Sequence, residues 1–358
     1  MKSLTARITD TDALLAPYAV PIQGALGRPE PEQEDETRFP FQRDRDRIIH
    51  TQAFRRLQGK TQVFVSGEGD HFRSRLTHTM EVAQLSRDIA RTLSLNEDLA
   101  ECIALAHDLG HPPFAHMGEM ALDTWMKKHD SKFEHNEQSL RIVSLLEQHS
   151  KHHPGLNLNR EILEGLQKHQ PRTAKDRSLS LEAQIVNIAD EIAYSAHDCE
   201  DGMAAGLFTP EELSTVPLAT TAQAMANARG TSLRGALIHL LVSDLYTTTD
   251  ARLAVENIRT LDDVYTAKKS LVLFSQSFQE KITALHGFLH RHMYGNPRVR
   301  EANMEGQKII THLCDMFFAH PTEKILLLRK KTGSNLPEAV KDYVAGMTDA
   351  YAKSRIKN

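Results

Sequence analysis

The sequence predicts an all-α domain with one small β-hairpin. Three observations predict it. Apolar residues recur at helical spacing along most of the chain, a strand–turn–strand pattern occurs in one place, and Gly and Pro fall at the ends of helical segments.

Residues 1–40 read as an irregular, flexible N-terminal arm. Within it, Arg28 to Glu36 is acidic and proline-containing, the mark of a solvated segment. The balance then turns basic through Arg43, Arg45, Arg47, Arg55, Arg56 and Lys60, with Ile48, Phe54 and Leu57 spaced for one helical face. Thr61 to Ser66 and Phe72 to Ser74 flank Gly67-Glu68-Gly69-Asp70, which makes the hairpin candidate. Helices are expected over 77–93, 97–108, 115–128, 134–148, 159–168 and 180–199, then over 232–247, 267–292, 300–318 and 336–353. Gly110, Pro112 and Pro113 stop the second of these sharply. The expected organisation is the arm at 1–40, a helical core at 41–208, and a helical C-terminal part at 209–358 packed on that core.

The chain has 358 residues, 40% hydrophobic and 25% charged, as in a soluble globular protein. Its net charge of -4 excludes a global basic field for nucleic acid and leaves room only for a local patch. Cys102, Cys199 and Cys314 lie far apart without C-x-x-C pairing, against a disulfide framework or a zinc knuckle. The first residues do not form a signal peptide, and apolar runs such as Ala236 to Val242 are too short to span a bilayer. A cytoplasmic protein with no membrane partner is expected.

Chemistry is concentrated between His107 and Glu119, which hold three histidines and two acids: His107, Asp108, His111, His116 and Glu119. His107 and Asp108 close a helix whose apolar face is Ile103, Ala104 and Leu105, so they sit beside buried ground. Imidazole and carboxylate there need partners, and a divalent metal satisfies both. Adjacent helical residues diverge by about 100°. They converge on one ion only at a helix end, where Gly110 supplies the turn. Further ligands must come from elsewhere, with His78 and Asp190 as candidates.

Asp190, Tyr194 and Asp198 follow at i, i+4 and i+8, along one face beside a core stripe of Ile185, Ile188, Ala189 and Ile192. That face suits a pocket wall, although a solvated polar face is the more frequent outcome for such a pattern taken alone. The histidines between Gln148 and Pro154 belong to an exposed loop, and no P-loop or G-x-S-x-G elbow is present.

The ordered set His78, His107-Asp108, Asp190 resembles the H…HD…D signature of the HD phosphohydrolase superfamily. Residues 53–63, 75–82, 107–119 and 133–139 are similar to the deoxyguanosine triphosphate triphosphohydrolase family, in its shorter bacterial triphosphohydrolase-like branch. The resemblance is strong over about residues 41–208. It implies the HD-domain helical fold, a homo-oligomer, and hydrolysis of a deoxynucleoside triphosphate to deoxynucleoside and tripolyphosphate. It assigns His78, His107, Asp108 and Asp190 as metal ligands, and His116, Glu119 and His135 as catalytic. It makes Gln62, Arg75, His111, Tyr194 and Asp198 substrate-binding, with Gln62 and Asp198 at the deoxyribose.

These roles agree with elementary chemistry. A metal offsets polyphosphate charge and lowers the pKa of water. Arg75, three residues before His78, can fork onto phosphate oxygens. The 5′-alkoxide is a poor leaving group, and His116 can protonate it, with Glu119 at i+3 to orient the imidazole and raise its pKa. Tyr194 can wall off the 2′ carbon. Two other readings remain open: an HD nucleotidase or phosphodiesterase acting on other nucleotides, and a nucleotide-sensing or single-stranded-DNA-binding regulator that uses the basic 43–60 segment. The ligand set admits Mn, Mg, Fe, Co, Ni or Zn. Base preference, oligomer size and regulation by a second nucleotide stay open at this point.

Overall fold

A computed structural model describes residues 2–33, 35–62, 73–167 and 178–356. Among these the chain forms eighteen α-helices. The N-terminal ones are α1 (Leu4–Asp12), α2 (Pro40–Ile49), α3 (Gln52–Arg56), α4 (Arg75–Thr92), α5 (Glu97–Ala106), α6 (Ala115–Lys127), α7 (His135–Arg141) and α8 (Arg160–Gly165). Next come α9 (Leu181–Ala204), α10 (Pro210–Leu213), α11 (Pro217–Arg229), α12 (Leu233–Val255), α13 (Leu261–Thr266) and α14 (Gln276–Leu289). The last are α15 (Pro297–Ala319), α16 (Glu323–Thr332), α17 (Leu336–Ala345) and α18 (Asp349–Ile356). The all-α expectation holds: β-pairing among the described residues is limited to two isolated bridges, Thr61 with Ser74 and Gln148 with Gly155. The antiparallel Thr61–Ser74 bridge stands at the base of the expected hairpin, whose residues 63–72 lie outside the described ones. No helix among the described residues is long and apolar enough to cross a membrane.

The chain divides into two units, each drawn from three stretches of sequence. The first comprises Met1–Ala25, Glu81–Glu101 and Pro171–Val299. Its axis is α9, which starts where the Ser180 hydroxyl accepts the Ala183 amide. Of the predicted stripe, Ile185, Ala189 and Ile192 are fully buried there and Ile188 is half-buried. Helix α12 packs on α9 and brings its own stripe, Leu237, Leu241 and Leu245, spaced four apart. Residues 1–25 enter this unit through α1 and bury Val20 and Ile22.

The second unit comprises Leu26–Met80, Cys102–Gln170 and Arg300–Asn358. Its core gathers Phe114, Trp125, Met126, Phe133, Leu313, Phe317 and Val340. Burying each such large apolar side chain contributes about 1.5–3 kcal/mol. Here α6 and α16 pack against α17. The unit also holds the start of α4 and the end of α5, where three of the four metal-ligand candidates, His78, His107 and Asp108, sit.

Several helices end where a side chain competes for the backbone. Thr51 accepts the Phe54 amide and separates α2 from α3. The 134–148 expectation resolves into α7 followed by a π-helical turn at Ile142–Leu146. The 267–292 expectation starts late, at Gln276. Upstream, Gln184 Oε1 accepts the amides of Leu271 and Val272 and holds them out of a helix.

Candidate active site

In the second unit, the first turns of α4 and the end of α5 present His78 and His107, both buried. Their ring centroids are 5.8 Å apart, and their ligand-capable nitrogens lie within 4.8 Å of each other. His107 Nδ1 lies 2.6 Å from the Ala104 carbonyl oxygen, which fixes that nitrogen as the N–H and leaves Nε2 as the ligating atom. Nε2 in turn faces Asp108 Oδ1 at 3.3 Å. A lone pair opposite a carboxylate oxygen requires positive charge there, either a proton on the imidazole or a cation between them. Two buried imidazoles and a carboxylate are a donor set that suits a divalent metal, and the residues present fit one.

Asp108 is the hub. Its Oδ2 accepts from Arg75 Nη1 at 2.8 Å, and its Oδ1 lies 3.2 Å from His111 Nε2. Burial opposes its ionisation, but the neighbouring His107, His111 and Arg75 override burial and hold the carboxyl well below the usual carboxylate range. Arg75 is itself buried, and its Nε has no hydrogen-bond partner among the described residues.

A second group follows directly. Ligand-capable atoms of Asp108, His111 and His135 lie within 4.8 Å of one another. His111 stacks on His135 with centroids 3.8 Å apart. Burial, then the charges of Arg75 and His135, push His111 down to about 3, so its ring is neutral at pH 7. His135 Nδ1 and its backbone amide both reach Glu119 Oε1, at 2.8 and 2.9 Å. Glu119 Oε2 stands 3.8 Å from His116 Nδ1. Burial works against the Glu119 carboxylate, yet His116 and His135 hold it far below its ordinary value, and Glu119 raises His116 in return. The His116 side chain is 78% exposed, open to an incoming ligand. Arg75, Asp108, His111, His135, Glu119 and His116 thus form one continuous line of contacts.

Local structure sets this line. The Ser139 hydroxyl donates to the His107 carbonyl at 2.8 Å and accepts the Gly110 amide at 2.8 Å, pinning α7 to the end of α5. Gly110 is obligatory, because a Cβ there would lie 2.1 Å from the His135 carbonyl oxygen. Phe114 and Ala115 both take left-handed backbone angles, φ 61° and 51°, and turn the chain into α6 with His116 and Glu119 on its first turns. Gln62 is half-buried, and its Oε1 has no hydrogen-bond partner among the described residues.

The remaining predicted residues lie on α9 in the first unit. Asp190 and Tyr194 are half-buried, and Asp198 is buried. Burial, then the charges of Glu191, Asp198 and Asp190, raise the Tyr194 phenol. Its Oη is 2.8 Å from His286 Nε2, which also lies 2.8 Å from Ser195 Oγ. The π-helical turn His290–Tyr294 presents Tyr294, whose hydroxyl donates to Asp198 Oδ2. Sequence reasoning missed His286, which belongs to no local motif and meets Tyr194 from 92 positions away. Ser139 closes the 133–139 stretch, but its bonds to His107 and Gly110 are not marked by any spacing.

The chain is similar to known proteins over most of its length. The HD domain family matches residues 75–195, and the phosphohydrolase-associated domain matches residues 272–358. Fold and site together define an HD-domain phosphohydrolase. A deoxyguanosinetriphosphate triphosphohydrolase-like protein of Azoarcus sp. (strain BH72) is 45% identical, over 94% of this chain and 94% of its own length. Proteins with the same description from Deinococcus radiodurans and Geobacter sulfurreducens are each 42% identical, over 95% and 96% of this chain and 94% of their own lengths. The chain belongs to the deoxyguanosinetriphosphate triphosphohydrolase-like family.

Proposed function

We propose that the protein hydrolyses deoxynucleoside triphosphates at the α-phosphorus, releasing the deoxynucleoside and tripolyphosphate. The observation that supports this most is the unbroken line from Arg75 and Asp108 through His111, His135 and Glu119 to His116. It joins a metal-type donor set to a general acid.

In this reading His78, His107 and Asp108 would hold a divalent cation, and Asp190 enters as the fourth member of the sequence signature. Such a cation would supply charge neutralisation and a water of lowered pKa. Arg75 orients Asp108 and offers its remaining N–H groups to phosphate oxygens. Neutral His111 keeps its ring N–H on Asp108 and packs on His135, which in turn holds Glu119. Water adds to the α-phosphorus, the P–O5′ bond breaks, and protonated His116 delivers its proton to the departing 5′ oxygen. Glu119 stabilises the imidazolium beforehand. Such acid help contributes about 100- to 10,000-fold. Gln62 and Asp198 contact the deoxyribose, and Tyr194 closes the space beside its 2′ carbon. Equal rates for a ribonucleotide and its deoxy counterpart would remove that last assignment. A homo-oligomer in the cytoplasm belongs to the same reading, and light scattering on the purified protein tests the assembly.

The deciding experiment incubates the purified protein with deoxy- and ribonucleoside triphosphates and Mn, Mg, Fe, Co, Ni or Zn, then separates products by ion-exchange chromatography. Equimolar deoxynucleoside and tripolyphosphate are expected. Monophosphate with pyrophosphate, or no turnover with any metal, overturns the proposal.

A further inference from the structure

We propose that Asp349 is a positioning residue for His116 and Glu119, acting through the turn that precedes them. The inference rests on the reading above, in which those two side chains act on substrate. Asp349 opens α18 and is 1% exposed, so its carboxylate must find its partners inside the protein. Its Oδ1 accepts the Phe114 amide at 3.1 Å. Its Oδ2 accepts the Thr61 amide at 3.1 Å and the Thr61 hydroxyl. One carboxylate therefore ties the residue just before α6 to the residue just after the α3 region.

A second tie runs alongside. The buried Lys60 ammonium donates to the His111 carbonyl, and to the Ala345 carbonyl at 3.0 Å. Gly59 closes the same contact, since a Cβ there would lie 2.8 Å from Thr348 Cγ2. The short segment from Ala345 to Asp349 thus grips both ends of the His111–Phe114 turn, one end through Lys60 and the other through Asp349.

What is gripped explains why the grip matters. Phe114 and Ala115 are consecutive non-glycine residues in the left-handed region, a costly arrangement that persists only where surroundings impose it. The Phe114 ring is fixed in the core, where a Cβ on Gly306 would come within 2.5 Å of Phe114 Cβ. The ring anchors one side of the residue and the Asp349 carboxylate anchors its amide. Together they set the direction in which α6 leaves the turn. His116 is the second residue of α6 and Glu119 the fifth, so any relaxation at Phe114 swings both. Two buried amides and one hydroxyl converge on this single carboxylate, and three donors aimed at one group fix its orientation and theirs.

The test uses Asp349→Asn and the milder Thr61→Val, which deletes only the hydroxyl contact, in the full chain. Amide hydrogen exchange, calorimetric titration with MnCl2 alone, and steady-state kinetics are read for each. In Asp349→Asn, exchange across residues 111–120 should quicken by about tenfold, because the turn loses one acceptor. Mn affinity should stay within about twofold, and kcat should fall about 30-fold with KM nearly constant, as for a misplaced catalytic group. Thr61→Val should show the same pattern at smaller size. In a His116→Ala background, Asp349→Asn should cost less than about twofold, since the group it positions is gone. Unchanged exchange at 111–120 in both variants, or a full kcat loss carried into the His116→Ala background, overturns the proposal. The exchange measurement needs no nucleotide, so it decides this inference even if the wild-type protein cleaves no deoxynucleoside triphosphate.

Discussion

Glu119 Oε1 receives both N–H groups that His135 can offer it, the ring Nδ1 at 2.8 Å and the backbone amide at 2.9 Å. Its other oxygen is left to His116, at 3.8 Å. The i+3 spacing in the sequence pointed to the His116 pairing, but the tighter bond is the one to His135.

The hydrogen bond to Glu119, and then its charge, raise His116, so removing the carboxylate lowers the imidazole. A general acid must be protonated, and its rate contribution is lost as pH rises through its pKa. Glu119→Gln should therefore move the alkaline limb of kcat to lower pH and reduce kcat at neutral pH by about 10- to 100-fold. A pH–rate profile of both proteins checks this. An unmoved alkaline limb would assign the acid to another group.

Asp108→Ala should abolish divalent-metal binding by calorimetry. It should also destabilise the protein by about 3 kcal/mol in urea melts, because the buried Arg75 guanidinium loses its carboxylate. The double variant Asp108→Ala/Arg75→Met removes the stranded charge. It should recover a large part of that stability without recovering metal binding.

Gly110→Ala places a methyl group 2.1 Å from the His135 carbonyl and 2.3 Å from the Ser139 amide nitrogen. Both are backbone atoms, so α7 must shift away from the end of α5. A loss of about 2–3 kcal/mol is expected from overpacking. The His111–His135 stack should open, and the ring resonances of the two histidines should move in NMR spectra. Unaltered resonances would show that α7 is not held by this contact.

Glu182 is fully buried, and burial raises its carboxyl to about 7 from an ordinary 4.5, despite the Val20 and Asn96 amides it accepts. The folded state thus binds this proton more tightly than the unfolded state. Its contribution to stability is complete below about 4.5 and disappears as pH rises through about 7. Denaturant melts across that window should show wild-type stability falling with pH, and Glu182→Gln should flatten this part of the curve. Equal slopes for the two proteins would contradict it.

Legibility in the sequence followed the range of each interaction. His107-Asp108 at a helix end, His116 and Glu119 three apart, and the buried stripe of α9 are all expressed at helical spacing, and all were readable. Ser139, Lys60 and Asp349 act across 29, 51 and 288 positions, where no local period marks them. Helix α11 escaped notice because its alanine- and threonine-rich face, Pro217 to Arg229, carries little contrast between its sides. Helix α16 did so because Leu326 and Leu327 are exposed and blur its apolar stripe. The late start of α14 depends on the Gln184 side chain, which the 267–275 segment meets only after folding.

Thr61 and Asp349 stand 288 positions apart, and this separation has a consequence for biosynthesis. A ribosome must add 288 positions beyond Thr61 before the carboxylate that closes the turn becomes available. Until then the Phe114 amide lacks its carboxylate acceptor, and the turn that leads to His116 is held without this contact. A nascent chain, or a product of premature termination upstream of residue 349, carries every motif histidine but lacks the acceptor for the Phe114 amide.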